Sequence, residues 1–195
     1  IVEMASDFDD DTAKHKSEYS IEVGSTVSLV FTTKNKIHLL SDPINAPSLL
    51  LKGQGYKGDF QFLYHGLEKD QLIFKSNRSQ IEVRFTKAKA EDWKKKKKNR
   101  QMMANLKGES KPLFRSLEIN DGTKKSVFDF NFYKTTRFSQ SNSVEAGSKV
   151  NYKMGIAFTP TGITIKPTIQ IRKQKLSEFI YDGSTGDFNA SGTNG

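Results

Sequence analysis

Three histidines and one acidic run are the groups in this chain best suited to hold a metal or move a proton. Asp7, Asp9, Asp10 and Asp11 could offer oxygen ligands to Ca²⁺. The run lacks the turn glycine and the terminal glutamate of an EF-hand loop, so its spacing predicts a solvated hairpin tip. His15, His38 and His65 follow no HExxH or other paired spacing. His38 lies in Ile37-His38-Leu39-Leu40-Ser41-Asp42-Pro43, where a hydrogen bond to Asp42 or to a backbone carbonyl is expected. His65 should end a strand beside a turn, and His15 should be exposed. Serine, aspartate and histidine are all present, but no GxSxG elbow places a serine on a strand-to-helix turn.

Gly53-Gln54-Gly55-Tyr56-Lys57-Gly58 looks superficially like a phosphate loop. A strand pattern rather than a helix follows it, so it reads as turns. There is no cysteine, which removes disulfides, thiolate metal sites and a cysteine nucleophile. The residues therefore predict no catalytic group, no metal and no cofactor.

The chain has 195 residues and a net charge of +9. Lys94 to Lys98 is an unbroken lysine run with Arg100 just beyond it. Much of the excess charge is thus one local patch, which reads as a solvated helix face rather than a nucleic-acid surface. The 14 Phe and 6 Tyr must supply much of the core. Tyr56, Tyr64, Tyr133 and Tyr152, with Trp93 beside the lysine run, are the candidate ring platforms for a ligand.

Period-two alternation predicts the elements that position these groups. Strands are expected at Val2–Ala5, Tyr19–Val23, Leu29–Thr33, Asp59–His65, Gln71–Lys75 and Gln80–Thr86. Further strands are expected at Leu113–Ile119, Val127–Tyr133, Lys149–Phe158, Gly162–Ile165, Thr168–Arg172 and Glu178–Tyr181. Lys34 to Gly58 reads as a long structured connection, in which Leu49–Leu51 could cover the end of a sheet. Ala88 to Leu106 has helix formers and no β-branched residue, with Ala90, Trp93, Met103 and Leu106 as its apolar stripe. Gly183 to Gly195 has the composition of a frayed end.

The fold class expected is mainly β: two consecutive antiparallel meanders, lipocalin-like or a sandwich, joined by one helix. Residues 1–87 form a first module that begins partway through, 88–106 a connecting basic helix, and 107–195 a second module. The start at Ile1, already in a strand pattern, suggests that the native N-terminus lies upstream.

Several stretches resemble an uncharacterised family of Bacteroidetes outer-membrane lipoproteins, a domain of unknown function encoded beside SusC/SusD-type importers and zinc-metallohydrolase-like lipoproteins. They are Val2-Glu3-Met4-Ala5-Ser6-Asp7, Leu29 through Pro43, Gly55-Tyr56-Lys57-Gly58-Asp59-Phe60-Gln61-Phe62 and Phe158-Thr159-Pro160-Thr161-Gly162-Ile163. His38, Asp42, Pro43, Gly55 and Gly58 stand out as the structural motif. The resemblance implies a cell-surface accessory lipoprotein, attached to the outer membrane only by a lipid anchor upstream of this chain. It would bind a nutrient ligand, or a protein partner of an uptake complex, and not nucleic acid. A secreted metal-dependent hydrolase using His38, Asp42 and nearby carboxylates, and a purely structural subunit, are the alternatives.

Overall fold

In a computed structural model of the chain, residues 1–46, 49–107 and 114–191 are described. Pro47, Gly108, Leu113 and residues 192–195 of the expected frayed end lie outside them. The protein is mainly β, with antiparallel sheets, one of them bent into a half-barrel. It divides into two compact units, Ile1–Trp93 and Lys94–Gly195.

In the first unit, β1 (Val2–Met4) and β2 (His15–Ser17) form a hairpin. Strands β3 (Tyr19–Val23), β4 (Val27–Phe31), β5 (Gln61–Glu68), β6 (Gln71–Ser76) and β7 (Glu82–Thr86) make a five-stranded meander in chain order. Phe31, Phe62 and Phe74 are its buried centre, with Phe85 placing its ring edge-on against both Phe62 and Phe74 at 5.6 and 5.2 Å. Such T-shaped pairs add to the area that the rings bury.

The link between β5 and β6 is shorter than the Gly66–Asp70 turn expected. Pairing continues to Glu68, and the turn is Lys69-Asp70, both with positive φ (47° and 63°). That is the twist a two-residue hairpin needs. Gly66, at φ 133°, instead follows a register skip between Tyr64 and Gly66, so His65 sits at a bulge inside the strand rather than at its end.

The connection from Lys34 to Gly58 holds a helix that the sequence pattern did not announce, α1 (Lys36–Ser41). Asn35 caps it by accepting the Ile37 N–H, and the His38 imidazole accepts the Asn35 N–H in return. This is a capping box with histidine where glutamate or glutamine is usual. Leu49–Leu51 forms a single 3-10 turn whose Leu49 and Leu50 are 90% and 94% exposed, so it covers no sheet end. Residues 53–58 lie against the C-terminal end of α1 backbone to backbone, with Gly58 N donating to Leu40 O at 2.8 Å and Gly53 N to Pro43 O at 2.8 Å.

The second unit begins within α2 (Asp92–Lys107), which starts four residues later than expected. Asp92 accepts the Lys89 N–H at 2.7 Å, so residues before it form a turn rather than a helical entry. Met102, Met103 and Leu106 are the buried face, and Met102 was absent from the expected stripe. Strands β8 (Ser116–Asn120) and β9 (Lys125–Asp129) form a hairpin. Strands β10 (Asn131–Tyr133), β11 (Phe138–Asn142), β12 (Asn151–Phe158), β13 (Gly162–Ile171), β14 (Gln174–Tyr181) and β15 (Phe188–Ala190) form a six-stranded meander. Its inward residues Met154, Ile156, Phe158, Ile163, Ile165 and Ile169 close on the α2 face.

The single strand expected at Val127–Tyr133 is two, β9 and β10, which break at Phe130 and join different sheets. The two expected at Gly162–Ile165 and Thr168–Arg172 are one, with a register irregularity between Thr164 and Ile169 where Pro167 has no N–H to give the ladder. Strands β2, β11 and β15 were not expected. Part of the segment read as frayed, Phe188–Ala190, pairs with β14.

A Cβ at Gly58 would stand 2.7 Å from both Leu40 O and Leu40 Cβ, and neither can retreat without moving α1. At Gly53 nothing lies within 4 Å, and only the φ of +96° resists a side chain. Gly58→Ala should therefore cost about 2–3 kcal/mol and Gly53→Ala about 1 kcal/mol in urea unfolding followed by Trp93 fluorescence. Equal losses would mean that the close approach to α1 does not matter.

Candidate functional site

The residues of the sequence motif are structural hardware. His38 Nε2 lies 3.1 Å from Phe31 O. A carbonyl only accepts, so Nε2 carries the proton and Nδ1 is left to accept the Asn35 N–H at 3.2 Å. With both nitrogens engaged and the ring stacked on Phe60 at 5.2 Å, His38 has no lone pair to give a metal or a substrate proton. The expected carbonyl partner is Phe31, and Asp42 is not a partner of the ring: its carboxylate accepts the Ile44 N–H at 2.9 Å. Gly55 (φ 61°) passes 3.0 Å from Pro43 Cα measured to where its Cβ would be, so this crossing also excludes side chains.

Asp59, a residue the sequence reading passed over, is buried at 7% exposure. Its carboxylate accepts the N–H groups of Phe60, Gln61 and Arg78 at 2.9, 3.2 and 2.7 Å. The Arg78 guanidinium in turn donates to Ser41 O at 3.1 Å. This network ties the start of β5 to the end of α1.

The acidic run is not a freely solvated tip. Lys36 Nζ reaches Asp9 Oδ1 and Asp11 Oδ2, each at 2.9 Å, while its own side chain is only 9% exposed. The cation between these carboxylates is thus the chain's own ammonium. His15, half-exposed as expected, meets Asp11 at 2.6 Å. Burial alone would pull the Lys36 ammonium down, but hydrogen bonds to Asp9 and Asp11 outweigh it and raise it above the ordinary lysine value. The Lys36 hydrogen bond, with those from the Ala13 N–H and His15, holds Asp11 far below the usual carboxylate range. Among the described residues no group of three or more His, Asp or Glu is placed to hold a metal ion.

The five ring candidates do not form one platform. Tyr56 packs edge-on against Phe8 at 4.9 Å, and burial raises its hydroxyl above the usual value, as suits a core contact. Tyr64 leans on Phe74 at 5.6 Å, and the face of Trp93 is taken by the Lys14 ammonium at 4.2 Å. Tyr133 is 54% exposed in a short hairpin strand. Tyr152 alone lines a cavity.

That cavity, about 300 Å³, lies in the second unit between the β8–β9 hairpin and strands of the six-stranded sheet. The β8–β9 hairpin supplies Ile119, Asp121, Lys124, Ser126 and Phe128; the loop after β11 supplies Ser143, Glu145 and Ser148. The start of β12 and the end of β13 complete it with Tyr152 and with Gln170, Ile171 and Arg172. An isolated bridge between Phe128 and Ser143 and the bond from Val144 N to Val127 O hold the hairpin beside β11. Within it Phe128 is set edge-on to Tyr152 at 5.0 Å. The rim is two ion pairs, Lys124–Glu145 at 2.8 Å and Arg172–Asp121 at 3.9 Å. Hydrogen bonds from the Thr123 hydroxyl and the N–H groups of Lys124 and Thr123, with Arg172 nearby, lower Asp121 to about 2, so Asp121 keeps its charge through mild acid. Of these lining residues only Tyr152 was a candidate from sequence; the rest come from separate turns whose meeting no local spacing encodes.

The Asp9–Lys36–Asp11 clasp has a signed consequence. Because the folded Asp11 value is depressed, its stabilisation is present above the unfolded value near 3.8 and is lost as pH falls through the lower folded one. Because the Lys36 value is raised, its share is intact below the unfolded value of 10.5 and is lost as pH rises through the folded one. Lys36→Met should lower the neutral-pH urea midpoint and flatten its fall below about pH 4. A variant whose midpoint falls as steeply as the parent's would show that the clasp does not contribute.

No curated protein and no solved structure matches the chain. A family model described as a domain of unknown function, DUF4302, matches residues 1–183. Spanning nearly the whole length and both units, that match shows that the chain belongs to the DUF4302 family.

Proposed function

We propose that this protein is a non-catalytic accessory module of the Bacteroidetes cell surface, held at the outer membrane as a lipoprotein. On this reading it binds a nutrient ligand for a SusC/SusD-type uptake complex. The observation that carries the binding half of this reading is the cavity in the second unit, where Ile119, Phe128, Tyr152 and Ile171 stand beside serines, Gln170 and two ion pairs; small-molecule sites are commonly clefts that combine apolar walls with convergent polar groups. Its volume of about 300 Å³ stands at the lower end of the range for such sites. The cellular half is supported by the resemblance in Val2–Asp7, Leu29–Pro43 and Gly55–Phe62.

A hydrolytic role through His38 and Asp42 has no support in their geometry, since each side chain is spent on the backbone of its own unit. The test of the proposal is recovery of the tagged protein from native outer membranes after mild cross-linking. Importer subunits should come with it in a species larger than the monomer. Recovery as a lone monomer free of the membrane overturns the proposal.

A further inference from the structure

The five-stranded meander of the first unit leaves one edge open and apolar. Strand β3 (Tyr19–Val23) has a neighbour, β4, on one side only. The ladder between them bonds through the even-numbered residues of β3: Thr32 N donates to Glu18 O at 3.1 Å, while Phe31, opposite Tyr19, turns its N–H the other way to Phe60 O at 3.0 Å. Bonded residues alternate along an antiparallel pair, so Tyr19, Ile21 and Val23 aim their N–H and C=O groups out of the sheet edge. Their side chains share a face with Leu29 and Phe31 and are 44%, 56% and 82% exposed. The other edges of the two larger sheets are blunted. Strand β7 carries Arg84, ion-paired to Glu68 and Glu82, with Lys87 and Lys89 following it, and β10 and β15 have three residues each. Charge, proline, bulges and shortness are the usual protections of an edge, and β3 has no lysine, no proline and no bulge.

What fits this edge is a second copy of the same strand. With a two-fold axis at Ile21, that residue faces Ile21 of the second copy and Tyr19 faces its Val23, so each outward residue enters a bonded pair and its N–H and C=O are both met. The apolar faces of the two meanders then run on into one another. A slip of one residue would set outward groups against inward ones. An axis at Ser20 would put Glu18 opposite Glu22, and an axis at Glu22 would put that acid opposite itself. With the axis at Ile21, Glu22 stands opposite Ser20 and Glu18 opposite Gly24, and no like charges meet. We infer that this protein forms an antiparallel β3–β3 dimer in which the two five-stranded sheets join as one. One short strand pair lies at the low end of interface sizes, below about 1,200 Å², so the dimer is weak, with a Kd of about 10–100 μM.

The test is sedimentation velocity of the 195-residue chain from about 2 to about 500 μM, across which the mean mass should rise from monomer toward dimer. Ile21→Lys, which sets like charges on the axis, and Val23→Lys, at an 82% exposed position, should each raise the Kd about tenfold or more and leave the urea midpoint unchanged. Ser20→Lys should lower the Kd severalfold at low salt, because each new cation faces Glu22 of the other copy, whereas Ser20→Glu should raise it. A monomer at every concentration overturns the dimer. A dimer that Ile21→Lys and Val23→Lys leave intact is made by another surface and overturns it too. Equal effects of the two Ser20 substitutions overturn the register and with it the two-fold pairing, and growth beyond the dimer reveals a contact that does not close and overturns it as well.

Discussion

Each sheet in this protein has one apolar face, and the structure depends on what covers that face. In the second unit α2 does so. Met102, Met103 and Leu106 close against Met154, Ile156, Ile163 and Ile165 of the six-stranded sheet. Burying a large apolar side chain is worth about 1.5–3 kcal/mol, and a whole domain keeps only about 5–15 kcal/mol in net stability. Three such residues on two turns of a helix are therefore decisive, while the lysines of the same helix stay in water. In the first unit the cover is assembled from small parts. Val2 and Met4 of β1, Ile37 of α1 and Phe60 pack on Phe31, Phe62 and Phe74.

That second arrangement explains the density of hydrogen bonds around α1. A six-residue helix has little stability of its own, since its first turn costs more than its few bonds return. It is fixed from all sides instead. Asn35 holds its start and also bonds to the buried Ser17 hydroxyl at 2.5 Å, His38 ties it to β4, and Arg78 and Gly58 meet its last carbonyls. Ile37 can only complete the phenylalanine core if all of these hold. The residues that looked most chemical in the sequence are thus needed to position an apolar one.

How much of this was legible follows from the same physics. Tyr19–Val23 alternates apolar with polar residues and Gln71–Ser76 carries the apolar run Leu72-Ile73-Phe74, and both were visible at nearly their observed limits. Strand β11 inverts the code: in Phe138-Ser139-Gln140-Ser141-Asn142 the buried residues are the serines, so alternation gave no signal. Helix α1 was hidden because its capping box uses histidine, and because six residues are too few to show a helical period. The cavity was legible only at Tyr152. Asp121, Lys124, Glu145 and Arg172 lie in three turns that are far apart in sequence, and long-range pairing such as the Phe128–Ser143 bridge brings them together.

The ion pairs around the cavity contribute little to stability. Lys124 and Glu145 are each 58% exposed, and Arg172 and Asp121 are 60% and 41% exposed. Exposed pairs of this kind contribute about 0–1 kcal/mol, less in salt. The positive φ of Arg172 is a small cost in the opposite direction. Ser139 and Ser141, buried on β11 without hydrogen-bond partners, are a further cost within the same unit. A region chosen for stability alone would replace the serines with alanine and the rim with ordinary turn residues. Stability in this unit therefore rests on the contact of α2 with the sheet and not on these polar groups.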